Sequence, residues 1–334
     1  MKKDRNLVRR TLGYLLLARK TRIVPLSVVA LAVATLFVLV ACSAPQNQSG
    51  QSTNQQPAAT DWKSVVDVFG FPGDVLPEGV IRFNMPRKDL HVTVGAIEIK
   101  PALALGAWAA FRYVGKNDAM VMGDLVLTEE EVDPVMKTLE DGGVEVTALH
   151  NHLIGESPRI LYIHMGGHGD PVKMARTIKQ AIALTKSPLP QGGGAKESED
   201  IGFDVAAVEK ILGQPGKVSG GVLHVNVARA EKLTEEGMDT PPSMGMGISI
   251  NFQPTGNGKA AIAGDYALTG EEVGPVMKIL RDNGIQAVAL HSHALNDVPR
   301  LFYMHFWAND DALKLARGLR AALDQTNIAK TQSK

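Results

Sequence analysis

The sequence ALHNH, residues 148–152, shows how the chain is organised because it occurs twice. Its second copy is ALHSH, residues 289–293, and one further histidine follows each copy, His164 or His305. Equivalent histidines are separated by 141 residues in every case (291 − 150, 293 − 152 and 305 − 164). A constant offset between similar segments indicates that one structural unit has been duplicated.

The duplication extends well beyond the histidines. Residues 119–164 match residues 260–305 along their whole length, and further matches lie on the amino-terminal side of both segments. Between the two copies, the sequence is rich in glycine, proline and charged residues, which is typical of a linker. We therefore predict two tandem homologous domains and a linker: repeat 1 at residues 61–187, the linker at 188–203 and repeat 2 at 204–328.

Both repeats show the same order of helix and strand signals. Repeat 1 begins with a short amphipathic helix and four strands, predicted at residues 62–69, 80–84, 90–99, 106–114 and 120–127. TEEE at residues 128–131 is a capping box that starts another helix, because its threonine and last glutamate satisfy free amides. Two strands with the histidines and a helix at 170–184 follow. The expected class is α+β: two tandem homologous domains, each an antiparallel-rich sheet with helices packed on it.

The histidine pattern predicts a metal site in each repeat. Alternate residues of a strand point to one face, so His150 and His152 should project together. A hairpin centred on Ser157 would place His164 opposite His150. Three histidine ligands that leave a fourth position open are typical of catalytic zinc. Zinc is the expected ion, with copper or another divalent metal as alternatives, and the predicted ligands are His150, His152, His164, His291, His293 and His305.

A structural role for the same histidines is the alternative, since buried imidazoles also bond backbone carbonyl groups. The metal site is favoured because the histidines are unchanged between the copies, whereas Asn151 is replaced by Ser292. Outside the cytoplasm, thioether groups beside histidines are also compatible with copper handling. The methionines concerned are Met120, Met122, Met165, Met244, Met246 and Met304, most of which we expect in the core.

The loops beside the histidines contain candidate catalytic residues. We predict Glu156 and Asp297 as general bases for a metal-bound water, and Arg159 and Arg300 as ligands of an anionic substrate. A solvated turn held by an arginine–carboxylate pair is the alternative. The resulting hypothesis is a zinc-dependent hydrolase or lyase acting on a small anionic molecule. A non-catalytic protein that binds or handles zinc or copper, and a structural cell-envelope protein, remain alternatives, so the sequence leaves open whether the chain is an enzyme.

The amino-terminal residues predict the cellular location. Basic residues precede an apolar run, and LVAC at residues 39–42 resembles a bacterial lipobox. The resemblance implies that residues 1–41 are a lipoprotein signal peptide and that acylated Cys42 anchors the protein to a membrane, with residues 42–60 as a flexible tether. A retained transmembrane segment is the alternative. Both interpretations place the repeats outside the cytoplasm, on the cell surface or the periplasmic face.

The composition excludes several other classes of protein. Lys+Arg and Asp+Glu each number 35, so the formal net charge is zero and no nucleic-acid partner is expected. Cys42 is the only cysteine, which excludes an internal disulfide framework and a cysteine-rich metal site. The sequence also lacks a P-loop, a Rossmann glycine pattern and the G-x-S-x-G motif.

Several motifs together resemble a known family. KPALALGAWAAF (100–111), AMVMGDLVLTEEEVDPVMK (119–137) and VTALHNHLIGESPRILYIHMGGHGDPVK (146–173) are similar to the DUF1259 family, also called the LppY/LpqO family of bacterial lipoproteins. The resemblance covers about residues 61–327. This family is functionally uncharacterised, so the resemblance implies an extracytoplasmic lipoprotein without specifying an activity. The three-histidine pattern is also similar to that of the acetolactate decarboxylase-like fold, in which zinc lies on such histidines.

Overall fold

The computed structural model describes residues 61–187, 189 and 201–330. The predicted signal peptide, Cys42, the tether and most of the linker lie outside the described residues. In the described ranges, helices are too short or too polar to cross a membrane. Contacts between Cα atoms place both repeats in one compact unit, Gln56–Lys334.

Repeat 1 alternates strands and helices. Its strands are β1 (Asp74–Leu76), β2 (Val80–Pro86), β3 (Thr93–Val94), β4 (Ile97–Glu98), β5 (Gly106–Tyr113), β6 (Ala119–Thr128), β7 (Glu145–His150), β8 (Glu156–Ser157) and β9 (Ile160–Gly169). Its α-helices are α1 (Lys63–Phe69), α2 (Pro101–Ala104), α3 (Glu129–Asp141) and α4 (Pro171–Ile182).

Repeat 2 follows the same order, except that a 3-10 turn (Pro242–Met244) replaces α2. Its strands are β10 (Lys217–Ser219), β11 (Val222–Val227), β12 (Thr234–Glu235), β13 (Met238–Asp239), β14 (Ile248–Gly256), β15 (Lys259–Leu268), β16 (Gln286–His291), β17 (Asp297–Val298) and β18 (Phe302–Asp311). Its α-helices are α5 (Val205–Leu212), α6 (Gly270–Asp282) and α7 (Ala312–Leu323).

Six strands of each repeat form one antiparallel sheet. The strand orders are β1-β2-β5-β6-β9-β7 and β10-β11-β14-β15-β18-β16. The shorter strands form two separate three-stranded sheets, β4-β3-β8 and β13-β12-β17. The α+β class and the two tandem antiparallel sheets with packed helices are therefore confirmed.

Each large sheet packs against helices on one face and against the other repeat on its opposite face. Along β6, Val121 belongs to the core that includes α1, α3 and α4. Its neighbours Met120 and Met122 belong instead to the core of repeat 2. Conversely, Ala261 and Ala263 of β15 pack in the core of repeat 1. Since successive strand residues point to opposite faces, the inner faces of the two sheets must meet each other.

Local sequence signals place the helix ends correctly. Helices α1 and α5 end at Gly70 and Gly213, whose φ angles of 82° and 69° are left-handed. Glycine adopts this conformation without the clash that a Cβ atom would cause. Both capping boxes are present, Thr128 with Glu131 and Thr269 with Glu272.

Residues 90–99 do not form the single strand that we predicted. They form β3 and β4, which pair as a hairpin around Gly95, with a φ of 59°. A positive φ at this position reverses the chain, which an alternating hydrophobic pattern does not reveal. The loop predicted after the first two histidines also differs, because it contains β8, which pairs with β3.

A buried arginine ties each sheet to the helix that follows it. Arg87 donates hydrogen bonds to the carbonyl oxygen of Val126 and to the carboxylates of Glu131 and Asp89. Arg229 makes the three equivalent contacts in repeat 2. The capping glutamate therefore also neutralises an arginine in the protein interior.

Candidate metal centre

The repeated histidines form a single cluster between the two sheets. In repeat 1, His150 ends β7, His152 lies just beyond this strand, and His164 lies in β9. The equivalent positions of repeat 2 contribute His291, His293 and His305. Because the inner sheet faces meet, rings from different repeats come into direct contact.

The cluster consists of three successive pairs of imidazoles, and each pair has one ring from each repeat. In order, the pairs are His152 with His305, His150 with His291, and His164 with His293. The ring centroids within these pairs are 3.9, 3.7 and 3.8 Å apart. The rings of the middle pair lie 4.8–5.2 Å from those of the end pairs. A pseudo-twofold axis through the middle pair relates one end pair of the cluster to the other.

The predicted hairpin register is wrong. Strand β9 places His164 opposite Ala148, and Tyr162 lies opposite His150. The register is shifted by two residues because the connection contains β8, which pairs with another strand.

Three groups of histidines have ligand atoms within 4.8 Å of one another. One group is the predicted triad of repeat 2, and the other two combine both repeats. The groups are His291, His293 and His305; His150, His164 and His291; and His150, His152 and His305. The predicted triad of repeat 1 is not among them, and two of the three groups combine histidines from both repeats.

Backbone carbonyl oxygens orient four of the imidazoles through Nδ1. These contacts measure 3.3, 3.0, 2.9 and 3.3 Å and join His164 to Gly123, His305 to Gly264, His293 to Gly245 and His291 to Ser292. A carbonyl oxygen only accepts hydrogen bonds, so Nδ1 bears the proton and Nε2 has a free lone pair. Metal-ligating histidines adopt this tautomer when their other nitrogen donates to a carbonyl group.

The Nε2 atoms of all six imidazoles are buried and have no hydrogen-bond partner among the described residues. A buried polar atom without a partner destabilises a fold by about 1–3 kcal/mol. A cation in the cluster would satisfy these lone pairs. Tetrahedral zinc with bonds of about 2.0–2.1 Å requires nitrogen atoms about 3.3 Å apart. The ligand atoms of each group lie within 4.8 Å of one another, so metal binding requires side-chain rotations that shorten the longer separations.

Burial lowers the pKa of every imidazole in the cluster. For His291, burial lowers the pKa to about 4. For His150, burial and then repulsion from the neighbouring rings lower the pKa still further. Burial also holds the pKa of the remaining four rings well below 6.5. All six imidazoles are therefore neutral at pH 7, which is the form that binds metal.

Two aspartates flank the cluster, and the sequence analysis did not include them among the site residues. Asp124 Oδ2 lies 3.4 Å from His152 Nε2, and Asp265 Oδ2 lies 3.6 Å from His293 Nε2. Burial raises the pKa of Asp124 well above its usual range, and burial followed by repulsion from Asp124 raises the pKa of Asp265 to about 7. Both residues lie within strands, Asp124 in β6 and Asp265 in β15.

Two tyrosines also pack on the cluster. Tyr162 stacks on His152 with centroids 3.6 Å apart, and Tyr303 stacks on His293 at 3.4 Å. The two tyrosines are separated by 141 residues, as are the two aspartates. A search for identical polar residues at this offset in the two copies would therefore have identified both aspartates and both tyrosines.

The residues predicted as bases and anion ligands have other contacts. The Asp297 carboxylate accepts hydrogen bonds of 2.8 Å from Arg300 and from a backbone amide. Arg159 is exposed, and its nearest acidic partner is Glu129 at 3.7 Å. Glu156 lies in β8, and no described group of metal ligands contains it or Asp297. The structure therefore places these four residues in strand and loop contacts outside the histidine cluster.

The other histidines lie outside the cluster. His168 is in β9, 3.6 Å from Asp118 and 3.4 Å from Glu236 of repeat 2. His91 is exposed, and the ring of His224 is held by Asn251 at 2.7 Å. They are thus separate from the candidate metal centre.

A cavity of about 1380 Å³ between the repeats reaches the histidine cluster. The cluster contributes His152, His293 and His305 to its walls, together with Asp124 and Asp265. A metal ion bound to these histidines would therefore be accessible to a molecule in the cavity.

The walls of this cavity differ between the repeats. On the repeat 1 side, the guanidinium of Arg82 lies 3.9 Å from the centre of the Trp108 ring. On the repeat 2 side, His224 and Ser249 line the cavity instead. Burial lowers the pKa of Arg82 to about 10, so the side chain keeps its charge at pH 7. The guanidinium therefore has no counterpart at the equivalent position of repeat 2.

Comparisons with known proteins identify a family but no activity. No curated protein matches the chain. Among solved structures, the trimeric bacterial microcompartment shell protein PduB has 13% identity and a TM-score of 0.19, with 76% of this chain and 91% of that chain covered. EtuB from Clostridium kluyveri has 10% identity and a TM-score of 0.17, with 75% and 90% covered. Scores of this size carry no information on fold or function.

The family model described as "Domain of Unknown Function (DUF1259)" matches residues 63–184 and 206–325. These two matches correspond to the two repeats and together cover more than half of the chain. The resemblance noted in the sequence is thereby confirmed: the protein belongs to the DUF1259 family.

Proposed function

We propose that this protein is an extracytoplasmic metal enzyme, in which the histidine cluster binds zinc and a small anionic substrate is hydrolysed or cleaved in the adjoining cavity. The observation that supports this function best is the set of six buried Nε2 atoms without partners. Neutral imidazoles with free lone pairs are the ligands that zinc prefers when cysteine is absent.

The position of the cavity favours catalysis over storage of the metal. His152, His293 and His305 line the cavity, so a substrate would approach the ligands directly. When bound, zinc supplies a Lewis acid that polarises substrate oxygen atoms and lowers the pKa of water. Asp265 lies beside this position, 3.6 Å from His293 Nε2, where its carboxyl group is placed to accept or donate a proton. In this proposal, Asp124 and Asp265 replace Glu156 and Asp297 as the acid–base groups.

The charges around the cavity support an anionic substrate. Arg82 lines the cavity and stacks on Trp108, which holds the guanidinium in place. Lys88 and Lys217 also line the cavity. A guanidinium bonds carboxylate or phosphate groups with two parallel hydrogen bonds, which orients such a group towards the histidines. Arg82 therefore takes the role that we had assigned to Arg159 and Arg300.

Metal content and turnover of the purified full-length protein test this function. We expect zinc to co-purify, and carboxylate or phosphate esters, or 2-oxo acids, to be turned over by the zinc-loaded protein only. The double variant with His150→Ala and His291→Ala should abolish both zinc binding and turnover, whereas the surface variant His91→Ala should retain them. Absence of metal in the wild type would contradict the proposal. Bound copper without turnover would favour the metal-handling alternative.

Membrane attachment through Cys42 is a second part of the proposal. The lipobox-like sequence at residues 39–42 supports it, because cleavage there would leave Cys42 at the new amino terminus. We expect wild-type protein in the membrane fraction of a bacterial cell and Cys42→Ser at a higher apparent mass in uncleaved form. Unchanged processing of Cys42→Ser would contradict lipidation.

A further inference from the structure

We infer that the cluster binds two metal ions, and that each ion is held by histidines from both repeats, with one aspartate beside it. This inference rests on the proposed metal function and deepens it, because it specifies the number of ions and the ligands of each. It replaces the simpler arrangement in which each repeat forms its own site.

One ion leaves half of the cluster unsatisfied. The groups of ligand atoms within 4.8 Å contain three histidines each, and no larger group is present among the described residues. Three buried imidazoles would then remain without a partner for Nε2. Since unsatisfied buried groups destabilise a fold, a second cation is required to complete the cluster.

The composite group His150, His152 and His305 identifies the ligands of both ions. Its three ring separations are 5.0, 3.9 and 5.2 Å. The remaining histidines have ring separations of 5.2, 3.8 and 5.1 Å for the equivalent pairs, and they are His164, His291 and His293. The two triads therefore agree within 0.2 Å under the pseudo-twofold axis, as two equivalent sites should.

Division of the histidines by repeat fits the ring contacts less well. The group His291, His293 and His305 has ligand atoms within 4.8 Å, and it favours this division. Neither division gives two groups within this limit, but the described rings of His152 and His164 make no ring contact, so division by repeat leaves one pair of rings apart in repeat 1. Only the composite division gives two triads in which every pair of rings is in contact.

Each composite triad has its own aspartate. Asp124 lies 3.4 Å from His152, and Asp265 lies 3.6 Å from His293. Asp124 Oδ1 is also buried without a hydrogen-bond partner. Three imidazoles leave the fourth position of a zinc ion open, which is the arrangement of catalytic zinc. Two divalent ions and two carboxylates leave an excess of two positive charges, which would attract an anionic substrate from the cavity.

Paired histidine substitutions distinguish the composite division from division by repeat. We expect wild-type protein to bind two zinc ions per chain. His152→Gln with His305→Gln removes two ligands of one ion, so one zinc should remain. His152→Gln with His164→Gln removes one ligand of each ion, so both should be lost or bound at least tenfold more weakly. Division by repeat predicts the opposite result for the two double variants.

The measurements are zinc content after dialysis and titration of the metal-free full-length protein with Co²⁺, followed by d–d absorption. Circular dichroism shows whether each variant folds, and the wild-type titration remains informative if a variant does not. Two equivalents of Co²⁺ at saturation support the inference. One equivalent would overturn it while leaving the proposed function intact, and none would overturn both.

Discussion

Individual buried residues explain how the protein's stability should depend on pH. In the folded protein, burial holds the pKa of His291 at about 4 and the pKa of the other clustered imidazoles below 6.5. An unfolded chain would take up protons on these residues at about pH 6.5. The contribution of the neutral imidazoles to the free energy of unfolding is therefore fully present above this pH, and it is lost as the pH falls.

We predict that the metal-free protein loses stability between pH 7 and pH 5. Each histidine lowers the free energy of unfolding by about 1.4 kcal/mol per pH unit below its unfolded pKa. Asp124 and Asp265 act in the opposite direction, because their raised pKa values favour the folded state as the pH falls. Six histidines outweigh two aspartates, so the melting temperature should fall. A constant or rising melting temperature would contradict the burial of neutral imidazoles.

A second residue-scale prediction concerns the buried Arg87, whose side chain is 1% exposed. Replacement in Arg87→Ala leaves Glu131 without its interior counter-charge, which should reduce the free energy of unfolding by roughly 3–5 kcal/mol. The matched control is Arg159→Ala, because Arg159 forms only an exposed pair with Glu129. Its effect should be below about 1 kcal/mol. Urea unfolding compares the two variants, and equal effects would contradict the structural role of Arg87.

At the scale of elements, the strands β6 and β15 bring the aspartates to the histidines. Asp124 pairs with His164, and Asp265 pairs with His305, in neighbouring strands. Both strands have a glycine immediately before the aspartate, Gly123 or Gly264. A Cβ atom at Gly264 would lie 2.0 Å from the carbonyl oxygen of Ser249, so only glycine allows this approach of β14 and β15.

We predict opposite effects for two glycine-to-alanine substitutions. Gly264→Ala should destabilise the protein by about 1–3 kcal/mol or more, because β14 must move away. It should also reduce zinc content, since Asp265 is displaced with the strand. Gly274→Ala in α6 should stabilise the protein by about 0.5–1 kcal/mol, because a Cβ there meets nothing within 4 Å and helical glycine is unfavourable. Thermal melting tests both, and unchanged melting of Gly264→Ala would contradict the close strand packing.

At the scale of the whole molecule, hydrogen bonds across the two repeats maintain the shared cluster. The Gln253 side chain accepts from Lys100 N at 2.8 Å and donates to Glu98 O at 2.7 Å. The Thr147 hydroxyl donates to the carbonyl oxygen of His293 at 2.7 Å, directly beside the histidines. The repeats therefore act as one structural unit, although their sequences are those of two homologous domains.

We predict that the two repeats remain associated after the linker is cut. A protease site inserted within residues 190–200 would remove the covalent connection and leave the inter-repeat contacts of the described residues unchanged. After cleavage, the two fragments should co-elute in size-exclusion chromatography and keep their zinc. The uncut variant provides the control for the insertion itself. Separation of the fragments with retained zinc would show that each repeat binds metal alone and would contradict the shared cluster.

The strands and helix ends around the candidate site could be predicted from the sequence, but the strand register could not. The strands with the histidines followed from alternating patterns, and the helix ends from Gly70, Gly213 and the two capping boxes. These signals are local, because they depend on residues a few positions apart. The register of His164 was mispredicted because β8 pairs with β3, a strand far away in the sequence.

The sequence by itself determined the duplication, the α+β class, the family and the six histidines as candidate ligands. Only the tertiary structure decided that these histidines meet in one cluster, with Asp124 and Asp265 beside them. The physical reason lies in the inner faces of the two sheets. Their contact depends on the packing of side chains such as Met122 and Ala263, which are remote in sequence, and no local pattern encodes which rings come together.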